Sequence, residues 1–220
     1  MKVIVVIPAY NEQARIAEVV RQAQKYAQIV IVVDDCSSDG TSLAVREMDG
    51  NVIVLRHKVN LGKGSALKTG CEAARRLGAD IIVLMDADGQ HRAEDIPSLV
   101  HKLEYDKLSI VFGCRHIGMD MPLMMMLGNK FLSIATSLLF HIYVSDTQSG
   151  FRAFKTSVFE SIKWNSTRYS VETEMIANTA KAGLAWGEAD ISTIYHDKHK
   201  GTTIVDGIRI FINMLVWKFL

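Results

Sequence analysis

The sequence lacks features that mark two common classes of protein. No run approaches the ~18 uncharged apolar residues of a membrane span, and residues 1–8 lack the layout of a signal peptide. The 25 basic and 24 acidic side chains give a formal net charge of +1. Nucleic-acid binders usually present a strongly basic face. We therefore expect neither a membrane-spanning helix nor a nucleic-acid partner.

Cysteine is also scarce. Only Cys36, Cys71 and Cys114 occur, and they lie far apart with no CxxC pair. This spacing argues against a disulfide framework and against a zinc site, and it indicates a reducing compartment.

Several familiar catalytic and nucleotide-binding motifs are missing as well. No GxGxxG follows the first apolar run, and no GxSxG occurs. A Walker A loop needs a glycine five residues before its lysine and Ser or Thr directly after it. Around Lys63 these positions hold Lys58 and Gly64. The sequence thus disfavours dinucleotide-binding, P-loop and α/β-hydrolase sites.

What the sequence does contain is a regular alternation of strand and helix patterns. Its 220 residues, 49% of them hydrophobic, suffice for one sizeable domain. The alternation predicts an α/β fold, a mostly parallel, doubly wound sheet with helices on both faces. The predicted strands are 3–7, 29–33, 52–55, 81–85, 109–113, 151–154 and 191–195. The predicted helices are 14–27, 65–77, 93–103, 131–143, 171–182 and 207–220.

The fourth predicted strand ends in an unusual polar group. Five apolar residues, 81–85, are followed by Asp86, Asp88, Gln90 and His91, with a glycine at 89. Strand periodicity sends the two aspartates to one side, and a turn at the glycine brings the next two side chains beside them. Carboxylate and amide oxygens suit Mg²⁺ or Mn²⁺ carrying a substrate phosphate.

Two other strands end in distinctive polar groups. The first runs into residues 8–12, Pro-Ala-Tyr-Asn-Glu, and the second into Asp34–Asp35. The carboxyl ends of parallel strands lie along one edge of a sheet, where ligands of open α/β sheets bind. We therefore expect these groups and residues 86–91 to converge on one cleft.

Five motifs in series carry a resemblance to a known family. They are PAYNE (8–12), VDD with SSDGT (33–35 and 37–41), NLGKG (60–64), DADGQH (86–91) and SGFRAF (149–154). In this order they resemble family 2 glycosyltransferases of the GT-A fold, in particular the dolichol-phosphate mannose synthase and polyprenyl-phosphate glycosyltransferase branch. The resemblance covers nearly the whole chain and implies a GT-A, Rossmann-like sheet.

The resemblance implies a division of the single domain. Residues 1–115 would form the nucleotide-sugar-binding half, and residues 116–220 the acceptor-binding half. The residues implied to bind the nucleotide-sugar are Pro8, Tyr10, Glu12, Val33, Asp35, Lys63, Asp86 and Ala87. Asp86, Asp88 and Gln90 would hold Mg²⁺ or Mn²⁺, with Asp88 and Arg115 as the catalytic residues.

The acceptor implied by the resemblance is a polyprenyl or dolichyl phosphate. Arg115 resembles the family arginine that meets the acceptor phosphate. A family loop of the form Arg-x-x-Gly-x-Ser-Lys corresponds to residues 198–204 here, where Lys198 replaces the arginine and Ile204 the final lysine. The resemblance thus assigns the acceptor phosphate to Arg115 and Lys198.

A different acceptor stays open at this point. A phosphate acceptor is already anionic at neutral pH, whereas a sugar hydroxyl of a glycan or glycolipid needs a carboxylate base. Asp146, Glu172 and Glu174 are available for that role, and Asp146 with Arg152 could equally form a structural pair. A non-catalytic nucleotide-sugar-binding scaffold is the alternative of another class.

Two apolar segments fit a lipid acceptor. Helices 131–143 and 207–220 carry little polar surface, and both are too short to span a membrane. They suit the membrane interface, and core packing or contact with a second copy in a homo-oligomer is the alternative. We therefore expect a cytoplasmic enzyme, peripherally associated with the cytoplasmic face of the membrane.

Overall fold

The structure is a computed structural model, and it describes residues 1–115, 123–167, 170–193 and 204–219. Strands and helices alternate through the first five strands. The strands are β1 (Val3–Ala9), β2 (Ile29–Asp34), β3 (Val52–Arg56), β4 (Ile81–Leu84), β5 (Ile110–Arg115), β6 (Arg152–Lys155) and β7 (Trp186–Ile191). The helices are α1 (Ile16–Ala23), α2 (Thr41–Arg46), α3 (Lys63–Arg76), α4 (Ile96–Tyr105), α5 (Leu123–Phe140), α6 (Phe159–Ile162), α7 (Val171–Lys181) and α8 (Ile204–Phe219).

The seven strands form one sheet in the order β3-β2-β1-β4-β6-β5-β7. The pairs among β3, β2, β1 and β4 are parallel, and β5 pairs in parallel with β7. Only β6 runs antiparallel, between β4 and β5. The predicted mostly parallel sheet is confirmed. Because β2, β1 and β4 are adjacent and parallel, their carboxyl ends share one edge.

Helices cover both faces of this sheet, as predicted. On one face α3 and α5–α8 pack on strand residues such as Val6 and Val33. On the other, α1, α2 and α4 pack on residues such as Val5 and Val32. Alternate side chains of the central strands enter opposite cores, which explains why these strands are apolar at every position.

Some predicted boundaries are wrong. Among the described residues the last strand is β7, at Trp186–Ile191, so it ends where the strand predicted at 191–195 begins; residues 194 and 195 lie outside the described ranges. This strand lies at the sheet edge, and its Glu188 and Asp190 interrupt the apolar pattern. The apolar helix predicted at 131–143 begins at Leu123 and ends at Phe140. The terminal helix begins at Ile204, three residues before its predicted start, and ends at Phe219.

Helices α5 and α8 pack against each other, with the Phe131 and Phe211 ring centroids 5.2 Å apart. Each exposes a row of large apolar side chains at helical spacing. We call these two rows the apolar surface: Leu127, Phe131, Ile134 and Leu138 of α5, with Val205, Ile208, Ile212, Val216 and Phe219 of α8. Within the described ranges, no helix combines the length and the apolar character needed to cross a bilayer.

The packing of α3 on the sheet generates a test. A Cβ added at Gly70 would lie 2.3 Å from Val6 Cγ1, so Gly70→Ala forces a buried strand side chain to move. We expect a loss of about 1–3 kcal/mol in the free energy of unfolding, measured by urea titration. The control is Gly128→Ala in α5, where a Cβ meets nothing within 4 Å. It should gain up to about 1 kcal/mol from helix propensity. Equal stabilisation by both changes would contradict this account.

Candidate active site

The carboxyl ends of β1 and β2 lead into two loops that are tied to each other. The Asn11 N–H donates to Ser37 Oγ at 2.9 Å, and the Ser38 N–H donates to Asn11 Oδ1 at 2.9 Å. The Glu12 N–H donates to Thr41 Oγ1 at 2.9 Å. Asn11 adopts a left-handed backbone conformation, with φ of 54°, which asparagine tolerates better than most residues. These bonds leave Tyr10 exposed beside a half-buried Glu12.

Asp35, directly after β2, holds the loop that begins α3. Its buried carboxylate accepts hydrogen bonds from the Leu61 N–H at 2.9 Å and the Gly62 N–H at 2.7 Å. His57 Nδ1 lies 2.7 Å from the same carboxylate. The loop that Asp35 fixes ends at Lys63, the first residue of α3, so Asp35 sets where Lys63 enters the cleft.

The segment after β4 forms the predicted turn. Gly89 has φ of 74°, and Asp88 Oδ1 accepts the Gln90 N–H at 3.0 Å. The Asp86 N–H donates to His91 Nδ1 at 3.2 Å, and the buried His91 ring stacks on Phe151 with centroids 4.9 Å apart. The side chains of Asp86, Asp88 and Gln90 stay half-buried, on the cleft side of the turn.

Lys63 joins this turn to α7. Its Nζ lies 2.7 Å from Asp86 Oδ1 and 2.8 Å from Glu172 Oε1, so one ammonium forms ion pairs with two carboxylates. The Asp86 carboxylate fits here because residue 150 is a glycine. A Cβ at Gly150 would lie 2.6 Å from Asp86 Oδ2 and would clash with it. Glu172 comes from the first turn of α7, where a helix N-terminus favours a negative charge.

The electrostatics of this cluster favour the charged forms of Lys63 and Asp86. Burial alone would lower the pKa of the Lys63 ammonium, but Asp86 and Glu172 raise it well above its ordinary value. Burial opposes ionisation of Asp86 too, yet Lys63, with smaller contributions from His91 and Arg115, lowers the pKa of its carboxyl. The site therefore holds the Lys63 ammonium and the Asp86 carboxylate as a charged pair.

Arg115, at the end of β5, lies against Asp146. Its Nε and Nη2 donate to the two oxygens of Asp146 at 2.5 and 2.9 Å, and its backbone N–H donates to Oδ2 at 3.2 Å. The suggested pair of Asp146 with Arg152 does not form a hydrogen bond. Arg152 instead donates to the backbone oxygens of Thr147, Ser149 and Glu172.

The three carboxylates named above as available bases are all engaged. Asp146 binds Arg115, and Glu172 binds Lys63. Glu174 accepts the N–H groups of Asn165 and Ser166 at 2.8 and 2.9 Å. Each is at most 5% exposed.

The comparisons with known proteins identify the family. The model of glycosyl transferase family 2 matches residues 4–163. The chain belongs to glycosyl transferase family 2.

Relatives of this family 2 chain include lipid-linked sugar transferases. It is 36% identical to the UDP-N-acetylglucosamine–dolichyl-phosphate N-acetylglucosaminyltransferase of Methanococcus voltae, over 97% of this chain and 94% of that one. It is 28% identical to the dolichyl-phosphate beta-glucosyltransferase of Dictyostelium discoideum, over 97% of this chain and 76% of that one. The resemblance inferred from the motifs is confirmed.

The GT-A fold is confirmed by a solved structure. Glucosyl-3-phosphoglycerate synthase from Mycobacterium tuberculosis, crystallised with Mn²⁺, uridine diphosphate and phosphoglyceric acid, superposes with a TM-score of 0.77. The match covers 100% of this chain and 79% of that one at 18% identity, so it speaks to the fold.

The donor atoms of the family 2 cleft fit a magnesium or manganese ion. Over the described ranges, no three His, Cys, Asp or Glu side chains are grouped as a protein cage for a metal. Such a cage is not what these ions require beside a phosphate, because they are commonly bound by one or two carboxylates plus substrate oxygens. Asp88 and Gln90 offer half-buried oxygens of this kind, whereas Asp86 is already bound to Lys63.

The other residues predicted for the site divide by exposure. Pro8, Val33 and Ala87 are buried, so their side chains are closed to a ligand and only their backbone could contact one. Lys198 lies outside the described residues. Sequence reasoning did not place Glu172 beside Lys63; its only sequence signal was a carboxylate at the start of a predicted helix.

The shared ammonium generates the second test. Lys63→Met leaves Asp86 and Glu172 facing each other without a cation, and because Lys63 and Asp86 are only half-buried we expect a loss of about 1–3 kcal/mol. Chemical unfolding should show that loss. The matched control is Lys102→Met, which breaks an exposed pair with Asp106 at 2.9 Å and should cost less than about 1 kcal/mol. Losses of similar size in the two variants would rule out a structural role for the shared ammonium.

Proposed function

We propose that this protein transfers a hexosyl unit from a nucleotide-sugar to a polyprenyl or dolichyl phosphate, with Mg²⁺ or Mn²⁺ and with inversion at the anomeric carbon. The observation that carries the choice of acceptor is the engagement of Asp146, Glu172 and Glu174. A hydroxyl acceptor needs a base, and each carboxylate suggested for that role is occupied. An anionic phosphate oxygen needs none.

The donor would bind along the edge formed by β2, β1 and β4. We assign three side chains near the ends of β1 and β2 to the nucleotide: Tyr10 and Glu12 after β1, and Asp35 after β2. The backbone at Pro8, Val33 and Ala87 is assigned to the same ligand. Lys63, which lies between Asp86 and Glu172, would face the diphosphate with its ammonium. Because two carboxylates already surround this ammonium, a bound diphosphate would also need the positive charge of the metal ion.

Asp88 and Gln90 would hold the metal ion against that diphosphate, with Asp86 as a neighbouring contact. When bound, the ion acts as a Lewis acid that stabilises negative charge on the departing nucleoside diphosphate. The residues of this chain supply the orientation: the turn at Gly89 fixes the two oxygen donors.

Arg115 would meet the acceptor phosphate, together with Lys198. A guanidinium carries five N–H donors, so Arg115 can bind Asp146 through Nε and Nη2 and still donate to a phosphate oxygen. In the proposed step, a phosphate oxygen forms a bond to the anomeric carbon while the bond from that carbon to the diphosphate oxygen breaks. Attack from the face opposite the leaving group inverts the carbon, and no proton needs to be removed.

The lipid part of the acceptor would lie at the apolar surface of α5 and α8. Nine exposed apolar side chains on two short helices favour a membrane interface over open water. Arg209, exposed on α8, can face anionic lipid headgroups. We therefore propose peripheral association with the cytoplasmic face of the membrane.

Sugar transfer into organic-extractable lipid tests the function. Purified protein with Mn²⁺ and a polyprenyl phosphate should label the lipid from one of GDP-mannose, UDP-glucose or UDP-N-acetylglucosamine. Asp88→Ala should lose more than about 99% of this activity, as expected when a group that stabilises the transition state is removed. Asp106→Ala, which removes an exposed carboxylate on α4's C-terminal side, should keep it. Nucleotide binding without transfer to any lipid phosphate would overturn the proposal and favour a scaffold.

Membrane association has its own test. Leu138→Ser in α5 and Ile212→Ser in α8 each remove an apolar side chain, and we expect each to weaken binding to anionic vesicles about tenfold. Vesicle sedimentation measures this. The matched control is Leu43→Ser, an exposed leucine on α2 at the other face of the sheet. A concentration-dependent dimer disrupted by the same two changes, without vesicle binding, would show instead that the surface contacts a second copy.

A further inference from the structure

The loop of residues 145–147 is clamped by one side chain of α5. The buried Asn129 donates from Nδ2 to the Ser145 carbonyl at 3.1 Å. Its Oδ1 accepts both the N–H and the hydroxyl of Thr147, each at 3.0 Å. One amide side chain therefore fixes the loop on both sides of the intervening residue, Asp146.

A second contact holds the same loop from the sheet. Glu188 of β7 accepts the Ser145 N–H at 2.5 Å through Oε1. The N–H and the carbonyl of Ser145 thus both have partners, one on β7 and one on α5. The backbone of a loop restrained in this way cannot move without breaking several hydrogen bonds.

The clamped loop sets the direction of Arg115. Asp146 is 1% exposed and places both carboxylate oxygens on the Arg115 side chain. Two parallel N–H···O bonds fix the plane of a guanidinium as well as its position. Asp146 therefore fixes the orientation of the Arg115 side chain. The position of Asp146 is in turn fixed by Asn129 and Glu188, which hold the residues on either side of it or next to it.

The clamp lies on the helix that carries half of the apolar surface. Asn129, Ser133 and Thr136 are buried on one side of α5, and the exposed Phe131 and Leu138 lie about half a turn away. One face of α5 thus holds the loop that orients Arg115, while the opposite face is available to a lipid.

We infer that Asn129 is a positioning residue for the acceptor phosphate: through Ser145, Thr147 and Asp146 it orients Arg115. The inference rests on the proposed function, because it assigns Arg115 to the acceptor. It adds a physical connection between the helix proposed to lie at the membrane and the guanidinium proposed to bind the phosphate.

Asn129→Leu tests this with kinetics. We expect the KM for a polyprenyl phosphate to rise about tenfold, as for loss of one well-oriented charged contact, while the KM for the nucleotide-sugar stays within twofold. The matched control is Asn178→Leu, because Asn178 of α7 likewise donates to a backbone carbonyl, that of Lys163, at 2.8 Å. It should change neither KM. A fall in kcat with both KM values unchanged would mean that Asn129 only maintains the fold.

A measurement that does not depend on sugar transfer separates the positioning role of Asn129 from the proposed function. Hydrogen exchange of the Arg115 Nε–H, followed by ¹⁵N NMR, should accelerate in Asn129→Leu and not in Asn178→Leu. Unchanged exchange would overturn the positioning role even if the enzyme transfers sugar to lipid. Accelerated exchange with an unchanged acceptor KM would remove Arg115 from the acceptor site and overturn the inference. Should Asn129→Leu fail to fold, Thr147→Val, which deletes one donor to Asn129 and one acceptor for Gln148, should give the same effects at about threefold.

Discussion

The structure depends on one half-buried ammonium. Lys63 Nζ lies within 2.8 Å of two carboxylates that come from different parts of the chain, Asp86 after β4 and Glu172 in α7. Without the lysine, two like charges would face each other in a site with little water, which is costly. With it, α3, the turn after β4 and α7 are tied at the edge of the sheet. We propose that the same ammonium faces the diphosphate of the donor, so that the ion pairs that tie these elements together also form the donor site.

Much of this arrangement could be predicted from the sequence, for reasons of local physics. Strands buried on both faces are apolar at every position, so the abrupt change to polar residues after β1, β2 and β4 marks the carboxyl edge of the sheet. Gly89 marks the turn that presents Asp88 and Gln90, because its positive φ suits glycine. These signals lie within a few residues of the groups that they position.

What could not be predicted comes from contacts between distant residues. Glu172 meets Lys63 only because α7 packs on the same face of the sheet as α3, and nothing near Glu172 in the sequence indicates a lysine. Arg115 meets Asp146 in a loop held by Asn129, which lies before the predicted start of the apolar helix and so gave no signal of this contact. The position of β7 was also missed, since an edge strand that alternates polar and apolar residues gives a weaker signal than the apolar residues after it.

The central claim is that the acceptor is a phosphate oxygen that needs no base. The most direct measurement compares a polyprenyl phosphate with the matching polyprenol as acceptors, followed by mild acid hydrolysis of the labelled lipid. The account predicts transfer to the phosphate alone and release of the sugar by mild acid, as expected of a glycosyl phosphate. Transfer to the polyprenol hydroxyl, giving an acid-stable glycoside, would contradict it.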